Sequence, residues 1–282
     1  MELQMVETLP DKDKEGLEVV YQGIEGAYSQ IAALTYFGEK AHYNHVVRFS
    51  DAMRAVEERK AEYGVIPIEN SSAGVVVDTY DLLFTHNVTI VGEVYIPIHH
   101  ALLGVKGARL EDIDVVYSHP QGLMQCSKFL QQRNWNQISL LNTAVSANKV
   151  KEDGKKNQAA IASSLAAKCY GLDILKEKIN NNPENTTRFV VVAHERIYTR
   201  EAKKISVMFS LPHRAGTLYN ILRNFHDNNL NLLKIESRPI PEKNWEYRFF
   251  IDIEGNLQDK YVILALRSVA KETEDLRILG NY

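Results

Sequence analysis

The stretch GVIPIENSSAGVV, residues 64–76, contains the pattern that decides the fold of this chain. An apolar run that includes Val65 and Ile68 stops at a carboxylate, an amide and two hydroxyls, and apolar residues resume after Gly74. A short apolar run that ends in a polar turn and continues as an amphipathic segment is typical of a buried strand leading into a helix. The stretch therefore predicts a β-α unit with polar side chains at the end of its strand.

The same alternation extends in both directions through the first 200 residues. We interpret as strands the segments LEVVYQG, HVVRFS (residues 45–50) and VTIVGEVYIPI, and as helices AYSQIAALTYF, QGLMQCSKFLQQ and TAVSANKVKED. Repeated β-α units predict a largely parallel sheet with helices on its faces. Because the units form two sets, we predict two α/β lobes, one of residues 18–92 with 187–198 and one of residues 93–186.

The order of the elements changes after Lys203 to strand, helix, strand, strand, helix and strand. This is the ferredoxin-like order, βαββαβ, and we assign it to residues 203–282. The charged segment HERIYTREAKK has no apolar periodicity, so we place a linker near residues 197–203. Residues 1–17 are interpreted as a frayed extension. The predicted fold class is thus α/β, with a two-lobed domain like that of periplasmic binding proteins over residues 18–198 and a smaller ferredoxin-like domain.

The composition is that of an ordinary globular protein of 282 residues, with 45% hydrophobic residues, 24% charged residues and a formal net charge of -3. This charge predicts neither a nucleic-acid partner nor a membrane surface. No apolar run approaches the roughly 18 residues that a spanning helix needs, and the polar N-terminal segment does not resemble a signal peptide, so we expect a cytoplasmic protein. The two cysteines form no CxxC pair, and the paired histidines lack a third ligand, so we expect no metal.

Polar residues follow or begin several of the predicted strands. In doubly wound sheets, ligands bind where strands end and helix N-termini present free backbone N–H groups. Each residue is a weak signal when taken alone, because Ser72 and Thr143 are more typical of helix N-caps, and Thr187 is an ordinary β-branched strand residue. The candidates for a common site are Glu69, Asn70, Ser71, Ser72, Ser118, Gln121, Thr143, Thr187 and Arg188.

Taken together, these segments resemble a known family. The segments GIEGAYS, GVIPIENSSAGVV, VYSHPQ, CSKFL and TTRFVVV, in this order, resemble prephenate dehydratase, and RAGTLYNILRNFHDNNLNLLKIESRPI resembles the ACT domain that commonly follows it. The resemblance covers residues 18–282. It implies conversion of prephenate to phenylpyruvate in L-phenylalanine biosynthesis, without metal or cofactor, and a monofunctional form with no preceding chorismate mutase segment.

The resemblance also implies a role for each candidate residue. Thr187 is expected nearest the leaving hydroxyl of the substrate, and Arg188 is expected to organise the site or pair with a carboxylate. Glu69 stays open between a general acid and a structural partner of Arg188, and the ion pair is favoured because a free carboxylate would repel a dianionic substrate. The residues expected to bind prephenate are Asn70, Ser71, Ser72, Ser118, Gln121 and Thr143.

For the C-terminal domain, the resemblance implies feedback inhibition by L-phenylalanine and a homodimer or homotetramer. The residues expected to bind this effector are Gly216, Thr217, Leu218, Glu236, Ser237, Arg238 and Pro239. Two alternative functions remain open from the sequence. Arogenate dehydratase is the nearer one, because arogenate differs from prephenate only by an amino group in place of a keto oxygen. A non-catalytic two-lobed amino-acid sensor is the other, because fold does not determine function.

Overall fold

The computed structural model describes residues 3–10, 14–240, 243 and 245–282. The chain divides into two compact units. The larger unit comprises residues 14–82 and Val94–Val190, and the smaller unit comprises residues 3–10, Leu83–Glu93 and Val191–Tyr282. Among the described helices, none has the length and apolar character needed to cross a bilayer.

The secondary structure alternates between strands and helices along most of the chain. The strands are β1 (Gln4–Val6), β2 (Glu18–Gln22), β3 (His42–Val46), β4 (Tyr63–Asn70), β5 (Gly74–Val75), β6 (Thr89–Pro97), β7 (Ala101–Gly104), β8 (Val115–Ser118), β9 (Asn136–Ser139), β10 (Gln158–Ala162), β11 (Asp173–Lys176), β12 (Thr186–Ala193), β13 (Ile197–Thr199), β14 (Lys204–Ser210), β15 (Leu232–Pro239), β16 (Tyr247–Glu254) and β17 (Glu274–Asn281). The helices are α1 (Tyr28–Phe37), α2 (Phe49–Glu57), α3 (Val77–Thr85), α4 (Pro120–Gln125), α5 (Ser127–Leu130), α6 (Thr143–Asp153), α7 (Ser164–Tyr170), α8 (Thr217–Asp227) and α9 (Lys260–Glu272).

The first lobe of the larger unit contains strands with the spatial order β12-β4-β2-β3. Strand β2 is parallel to both of its neighbours, β3 and β4. The strand predicted at residues 45–50 instead ends at Val46. The prediction was wrong in its limits because β3 pairs residue by residue with β2, from His42 opposite Glu18 to Val46 opposite Gln22, and the ladder stops where β2 stops.

The second lobe has a mixed sheet with the spatial order β11-β7-β10-β8-β9. Strands β8, β9 and β10 run parallel, and β7 is antiparallel to both β10 and β11. The central strand β10 is buried along its whole length and consists mainly of alanines, which lets helices approach the sheet closely. The two-lobed α/β prediction is confirmed, with β7 and β11 as strands that the apolar pattern did not reveal.

The helix predicted from QGLMQCSKFLQQ is divided into α4 and α5. In a continuous helix, the Met124 carbonyl would accept from the backbone N–H of Lys128. The side chain of Asn181 takes both of these groups, because its Nδ2 donates to the Met124 carbonyl at 3.0 Å and its Oδ1 accepts from Lys128 N at 3.0 Å. A side chain inserted into the hydrogen-bond ladder is a recognised cause of a helix break.

The smaller unit contains the predicted ferredoxin-like order, β14-α8-β15-β16-α9-β17. Its strands form an antiparallel sheet with the spatial order β15-β16-β14-β17. Helices α8 and α9 contribute Ile221, Phe225 and Val262 to a core that also contains Val207 and Phe209 of β14. The ferredoxin-like prediction is therefore confirmed.

The predicted frayed extension contains a strand. Residues Gln4–Val6 pair in parallel with Ile197–Thr199, so β13 also lies within the segment where we predicted a linker. These two strands have only three residues each, which is too short to produce an apolar period. Residues 1–2 and 11–13 of the predicted extension lie outside the described residues. The predicted domain limits, 18–198 and 203–282, stay a prediction.

Candidate active site

Asn70 ends strand β4, and the following turn fixes the orientation of its side chain. Its Oδ1 accepts hydrogen bonds from the backbone N–H groups of Ser72, at 3.0 Å, and Ala73, at 2.8 Å. A backbone N–H can only donate, so the oxygen of the Asn70 amide must face this turn. Its nitrogen must therefore face the opposite direction.

The side-chain nitrogen of Asn70 forms hydrogen bonds at the start of strand β12. It lies 2.8 Å from Thr187 Oγ1 and 2.9 Å from Asn185 Oδ1, so each of its two hydrogens has an acceptor. Thr187 is 8% exposed, and no described residue offers its hydroxyl proton an acceptor. Because the Thr187 oxygen accepts from Asn70, its only proton remains available for a ligand.

Ser71 joins the same turn to β12 through two reciprocal hydrogen bonds. Its backbone N–H donates to the Thr186 carbonyl at 2.8 Å, and its Oγ accepts from the Thr186 backbone N–H at 3.0 Å. Ser72 reaches the second lobe instead, because its Oγ accepts from Asn182 Nδ2 at 3.1 Å. Ser71 thus links the turn after β4 to β12, and Ser72 lies at the edge of the cluster.

Glu69 and Arg188 lie beside this cluster. The shortest distance between them joins Arg188 Nη1 to Glu69 Oε2 and is 4.0 Å, with the arginine side chain buried and the carboxylate about one-third exposed. A guanidinium keeps its charge when it is buried, and a neighbouring carboxylate offsets part of that cost. The distance favours the ion-paired interpretation of Glu69, and its role stays a prediction.

Ser118, at the end of β8, has its hydroxyl directed into the protein. It is 0% exposed, and its Oγ donates to the Ile161 carbonyl at 2.8 Å. The neighbouring helix turn is equally tight, because a Cβ at Gly122 would lie 2.5 Å from Ser118 Oγ. The Ser118 hydroxyl therefore already uses its proton within the protein, and its predicted role in substrate binding stays a prediction.

Helix α4 begins with His119 as its N-cap residue. Its Nδ1 accepts from the backbone N–H of Gln121 at 3.2 Å, and burial lowers the pKa of His119, which keeps the imidazole in the neutral form that can accept. Helix α6 is capped by Asn142, whose Oδ1 accepts from Val145 N at 2.7 Å, so Thr143 is its first helical residue. The N-cap interpretation of Thr143 was therefore wrong by one position, and at Ser72 no helix begins.

A cavity of about 410 Å³ lies between the lobes and is lined mostly by amides. Side-chain amides donate and accept without carrying charge, so they can hold anions without a buried counter-ion. Of the predicted site residues, Ser72 and Gln121 lie on its wall, and Asn185, which bonds to Asn70, borders it beside the cluster. The predicted residues that do not line it are Glu69, Asn70, Ser71, Ser118, Thr143, Thr187 and Arg188. The complete lining consists of Ser72, Gln121, Met124, Gln125, Ser127, Asn180, Asn181, Asn182 and Asn185.

His100 is the centre of a network that the sequence did not indicate. It is 3% exposed, its Nδ1 lies 3.1 Å from the Tyr28 hydroxyl, and its Nε2 lies 3.0 Å from Gln125 Oε1. Its backbone N–H donates to Asn180 Oδ1 at 2.6 Å. Burial lowers the pKa of His100 to about 4, so the ring is neutral near pH 7. The network fixes Gln125 and Asn180 in the cavity wall.

Two amides of the cavity wall use only their oxygen ends. Asn180 Oδ1 accepts from His100, and Asn185 Oδ1 accepts from Asn70. Both Nδ2 atoms are buried and have no partner among the described residues. The sequence signal for these residues is the amide-rich segment NNNPEN, residues 180–185, immediately before TTRF.

The predicted effector residues of the smaller unit are divided between two elements. Gly216 is the N-cap residue of α8 with a φ of 85°, a left-handed conformation that favours glycine. The Thr217 hydroxyl donates to the carbonyl of Arg214 at 3.0 Å, and Leu218 packs against the core. A cavity beside them is lined by Leu211, Pro212, His213, Arg214, Thr217, Leu218, Trp245, Glu246, Tyr247 and Phe249.

Strand β15 presents its four predicted effector residues on two faces. Ser237 pairs with Phe249 and Pro239 with Tyr247, and both partners line the cavity just described. Directly paired residues of antiparallel strands lie on the same face, and successive residues alternate. Glu236 and Arg238 therefore lie on the opposite face, so within one chain only two of the four can face this cavity.

Comparison with known proteins identifies the family. A family model described as prephenate dehydratase matches residues 19–197. A bifunctional chorismate mutase/prephenate dehydratase of Stutzerimonas stutzeri is 36% identical over 271 residues, covering 95% of this chain and 74% of that protein. Arogenate dehydratase/prephenate dehydratase 1, a chloroplastic protein of Arabidopsis thaliana, is 39% identical over 288 aligned positions, covering 96% of this chain and 73% of that protein.

A solved structure resembles most of the chain. It is a prephenate dehydratase from Arthrobacter aurescens in complex with L-Phe, which has a TM-score of 0.87 and 30% identity and covers 94% of this chain and 89% of its own. Within the part of the chain that the structure describes, there is no group of three or more His, Cys, Asp or Glu residues that could hold a metal ion.

Proposed function

The chain belongs to the prephenate dehydratase family, and on this premise we propose that the cluster of Asn70, Thr187 and Arg188 carries its chemistry. The enzyme converts prephenate to phenylpyruvate with loss of carbon dioxide and water, a step of L-phenylalanine biosynthesis. The cavity between the two lobes is the proposed substrate site, and its volume of about 410 Å³ is within the usual range for a small-molecule pocket.

The reaction determines which groups the protein must supply. Prephenate carries two carboxylates and a ring hydroxyl para to the ring carboxylate. The electrons of the bond to the departing carboxylate enter the ring, the carbon-oxygen bond to the hydroxyl breaks, and one proton converts hydroxide to water. Because hydroxide is a poor leaving group, a donor to this oxygen lowers the barrier more than any contact that is equally strong before and after the reaction.

The hydrogen bond from Asn70 to the Thr187 hydroxyl is the observation that carries the assignment. Asn70 donates to Thr187 Oγ1 at 2.8 Å, so the hydroxyl has one proton to give and no described acceptor to receive it. A preorganised donor of this kind stabilises charge as it develops on a leaving oxygen. Arg188, which lies 4.0 Å from Glu69, is proposed to pair with a carboxylate or to organise the site.

The activity is tested by incubating the purified protein with prephenate and recording phenylpyruvate absorbance in alkali. Turnover that rises linearly with protein concentration is expected. Absence of turnover above the uncatalysed rate, in protein shown to be folded, would contradict the proposed function and favour the amino-acid sensor.

Arogenate is the second candidate substrate, because a relative that is 39% identical is named for both arogenate and prephenate. The two substrates differ at one side-chain group, so the same cluster at the leaving hydroxyl would serve either. The ratio of kcat/KM for prephenate and arogenate decides between them, and we expect it to favour prephenate.

We propose further that the smaller unit is an ACT-type regulatory domain that binds L-phenylalanine. Its ferredoxin-like order, the mainly apolar cavity beside Thr217 and Leu218, and the L-Phe complex of the Arthrobacter aurescens protein support this proposal. A coupling free energy of about 1 to 3 kcal/mol would change substrate affinity roughly 5- to 150-fold. Calorimetric titration with L-phenylalanine is the test, and failure to detect binding at millimolar concentration would contradict it.

The alternation of β15 allows a matched pair of variants for this titration. Ser237→Lys places a long cation on the face of the cavity, whereas Glu236→Lys places it on the opposite face. We expect the first variant to weaken L-phenylalanine binding more than the second. Equal binding by both variants and the wild type would place the effector elsewhere.

Self-association is proposed through the edge of the same sheet. Strand β15 is at the end of the spatial order, and its Leu233 and Ile235 are 46% and 45% exposed. An uncovered edge strand with apolar side chains is a ready pairing surface, which fits a homodimer or homotetramer. Analytical ultracentrifugation of the wild type and an Ile235→Lys variant tests this, and an exclusively monomeric wild type would contradict it. The cytoplasmic location and the monofunctional form stay predictions from the sequence.

A further inference from the structure

Asn185 carries a buried donor immediately beside the proposed catalytic cluster. The residue is 1% exposed and borders the cavity between the lobes. Its Oδ1 lies 2.9 Å from Asn70 Nδ2, and its own Nδ2 has no partner among the described residues. Buried polar groups in native proteins almost always have a partner, so one that lacks it at a ligand cavity calls for an explanation.

The orientation of the Asn185 amide follows from contacts that cannot be reversed. The backbone N–H groups of Ser72 and Ala73 require the oxygen of Asn70, which places the Asn70 nitrogen toward Asn185. That nitrogen in turn requires the oxygen of Asn185. If the Asn185 amide were rotated by half a turn, two donors would face each other. The unpartnered atom is therefore a donor and needs an acceptor.

We propose that Asn185 is a catalytic residue, whose side-chain amide donates to the leaving oxygen of prephenate beside Thr187. This inference rests on the proposed function. The same nitrogen of Asn70 holds Asn185 Oδ1 at 2.9 Å and Thr187 Oγ1 at 2.8 Å, so one side chain positions both remaining donors. The amide forms a hydrogen bond and transfers no proton, so the proton that converts hydroxide to water still comes from elsewhere.

The leaving oxygen is the acceptor that this position favours among those of the substrate. Negative charge grows on it as the carbon-oxygen bond breaks, whereas the ring carboxylate loses its charge on departing as carbon dioxide. A donor to the leaving oxygen strengthens in the transition state, whereas a donor to the ring carboxylate weakens. Removing a donor to the leaving oxygen should therefore lower kcat, whereas removing a donor to the ring carboxylate should raise KM.

Asn185 also has structural contacts, which the choice of variant must preserve. Its backbone carbonyl accepts from Ile98 N at 2.7 Å, and its side-chain oxygen holds Asn70. Asn185→Asp keeps an oxygen for Asn70 and replaces only the donor nitrogen. Asn185→Leu has a similar size, carries no charge and removes both polar ends, so it serves as a second variant if the aspartate destabilises the fold.

The experiment measures kcat and KM for prephenate with the wild type and both variants. Gln132→Glu is the matched control, because it makes the same amide-to-carboxylate change at an exposed position. We expect a loss of about 100-fold in kcat for both Asn185 variants. KM should change less than about threefold in Asn185→Leu and should rise more in Asn185→Asp, because the new carboxylate repels a dianionic substrate. The control should equal the wild type.

Two results would overturn the inference. One is kcat within about threefold of the wild type in a folded variant, and the other is a raised KM with unchanged kcat, which would indicate binding of a carboxylate. Thr187→Ala in the same series separates this failure from that of the proposed function. If Thr187→Ala loses turnover and the Asn185 variants do not, only the role of Asn185 is wrong. If the wild type does not turn over prephenate, both are wrong.

Discussion

Thr187 and Ser118 are two hydroxyls that the sequence places in the same class, at the start and the end of strands, and the structure treats them in opposite ways. Thr187 accepts from Asn70 Nδ2 at 2.8 Å, and its proton has no described acceptor. Ser118 donates its proton to the Ile161 carbonyl at 2.8 Å. A hydroxyl has a single proton, so the partner that it already has decides whether it can act on a ligand.

The difference extends to the surroundings of the two residues. Around Thr187, the Asn70 side chain positions two donors that have no acceptor in the described part of the chain. The Ser118 hydroxyl, by contrast, donates to a backbone carbonyl, and the buried imidazole of His100 is likewise held by Tyr28 and Gln125. We therefore expect substitutions near Thr187 to change turnover, and substitutions of Ser118 or His100 to change the free energy of unfolding.

The largest effect is expected from Thr187→Ala. Removing one preorganised donor to a developing oxyanion costs about 3 to 4 kcal/mol, or roughly 100- to 1,000-fold in kcat. Thr187→Ser is the matched control, because it keeps the hydroxyl and should retain most of the activity. Steady-state kinetics with prephenate is the measurement. Retention of more than a third of wild-type kcat by the alanine variant would remove the distinction between the two hydroxyls.

Asn70→Asp should reverse the direction of the hydrogen bond between residue 70 and Thr187, while the Thr187 hydroxyl stays in place. One oxygen of the new carboxylate can still accept from Ser72 and Ala73, and the other would face Thr187 Oγ1 and accept its proton. We expect a loss of about 100-fold in kcat, similar to the loss of the donor itself. Gln132→Glu controls for the added charge. Wild-type kcat in Asn70→Asp would show that the direction of the proton is irrelevant.

The pH dependence of stability should show that His100 has a structural role. Burial lowers its pKa in the folded protein to about 4, from an ordinary value of 6.5, so the unfolded chain binds more protons on acidification. The neutral, buried imidazole therefore contributes to the free energy of unfolding fully above pH 6.5, and this contribution is lost as the pH falls toward 4. Between pH 7 and pH 5, we expect the free energy of unfolding to fall by about 2 kcal/mol more in the wild type than in His100→Gln.

Chemical denaturation of both proteins at several pH values measures this difference. The two curves should run parallel above pH 7, where the imidazole is neutral in the folded and the unfolded state. Parallel curves down to pH 5 would mean that His100 is not held neutral by its burial.

The smallest effect is expected from Ser118→Ala. The variant loses one buried hydrogen bond, so the free energy of unfolding should fall by about 1 kcal/mol. Its kcat should stay within about threefold of the wild type, because the hydroxyl donates its proton to the Ile161 carbonyl. A loss of turnover comparable to that of Thr187→Ala, in a folded protein, would return Ser118 to the substrate site and contradict the comparison.

Much of the fold could be predicted from the sequence because apolar periodicity records local structure. The apolar run at the start of GVIPIENSSAGVV and the segment TAVSANKVKED correspond closely to β4 and α6, and the six elements after Lys203 occur in the predicted order. The errors arose where distant partners decide the outcome. The break between α4 and α5 depends on Asn181, and the limits of β3 depend on its ladder with β2.

The site residues named from the sequence stay a prediction, and the hydrogen bonds that join them could not be read from the sequence. The segment ending at Asn70 and the start of TTRF are more than a hundred positions apart, and the Asn70 side chain joins them through Thr187 and Asn185. Residue type identifies groups that can donate. It does not reveal which donors the protein has already used, because that depends on contacts such as the one from Ser118 to Ile161.

Neutron diffraction can show whether Asn70 directs the proton of Thr187 away from the protein. In a deuterated crystal of the unliganded enzyme, deuterium positions distinguish the two ends of an amide and the direction of a hydroxyl. We predict a deuterium of Asn70 Nδ2 on the line to Thr187 Oγ1, with the Thr187 deuterium pointing away from Asn70. A Thr187 deuterium that points to an Asn70 oxygen would contradict the account.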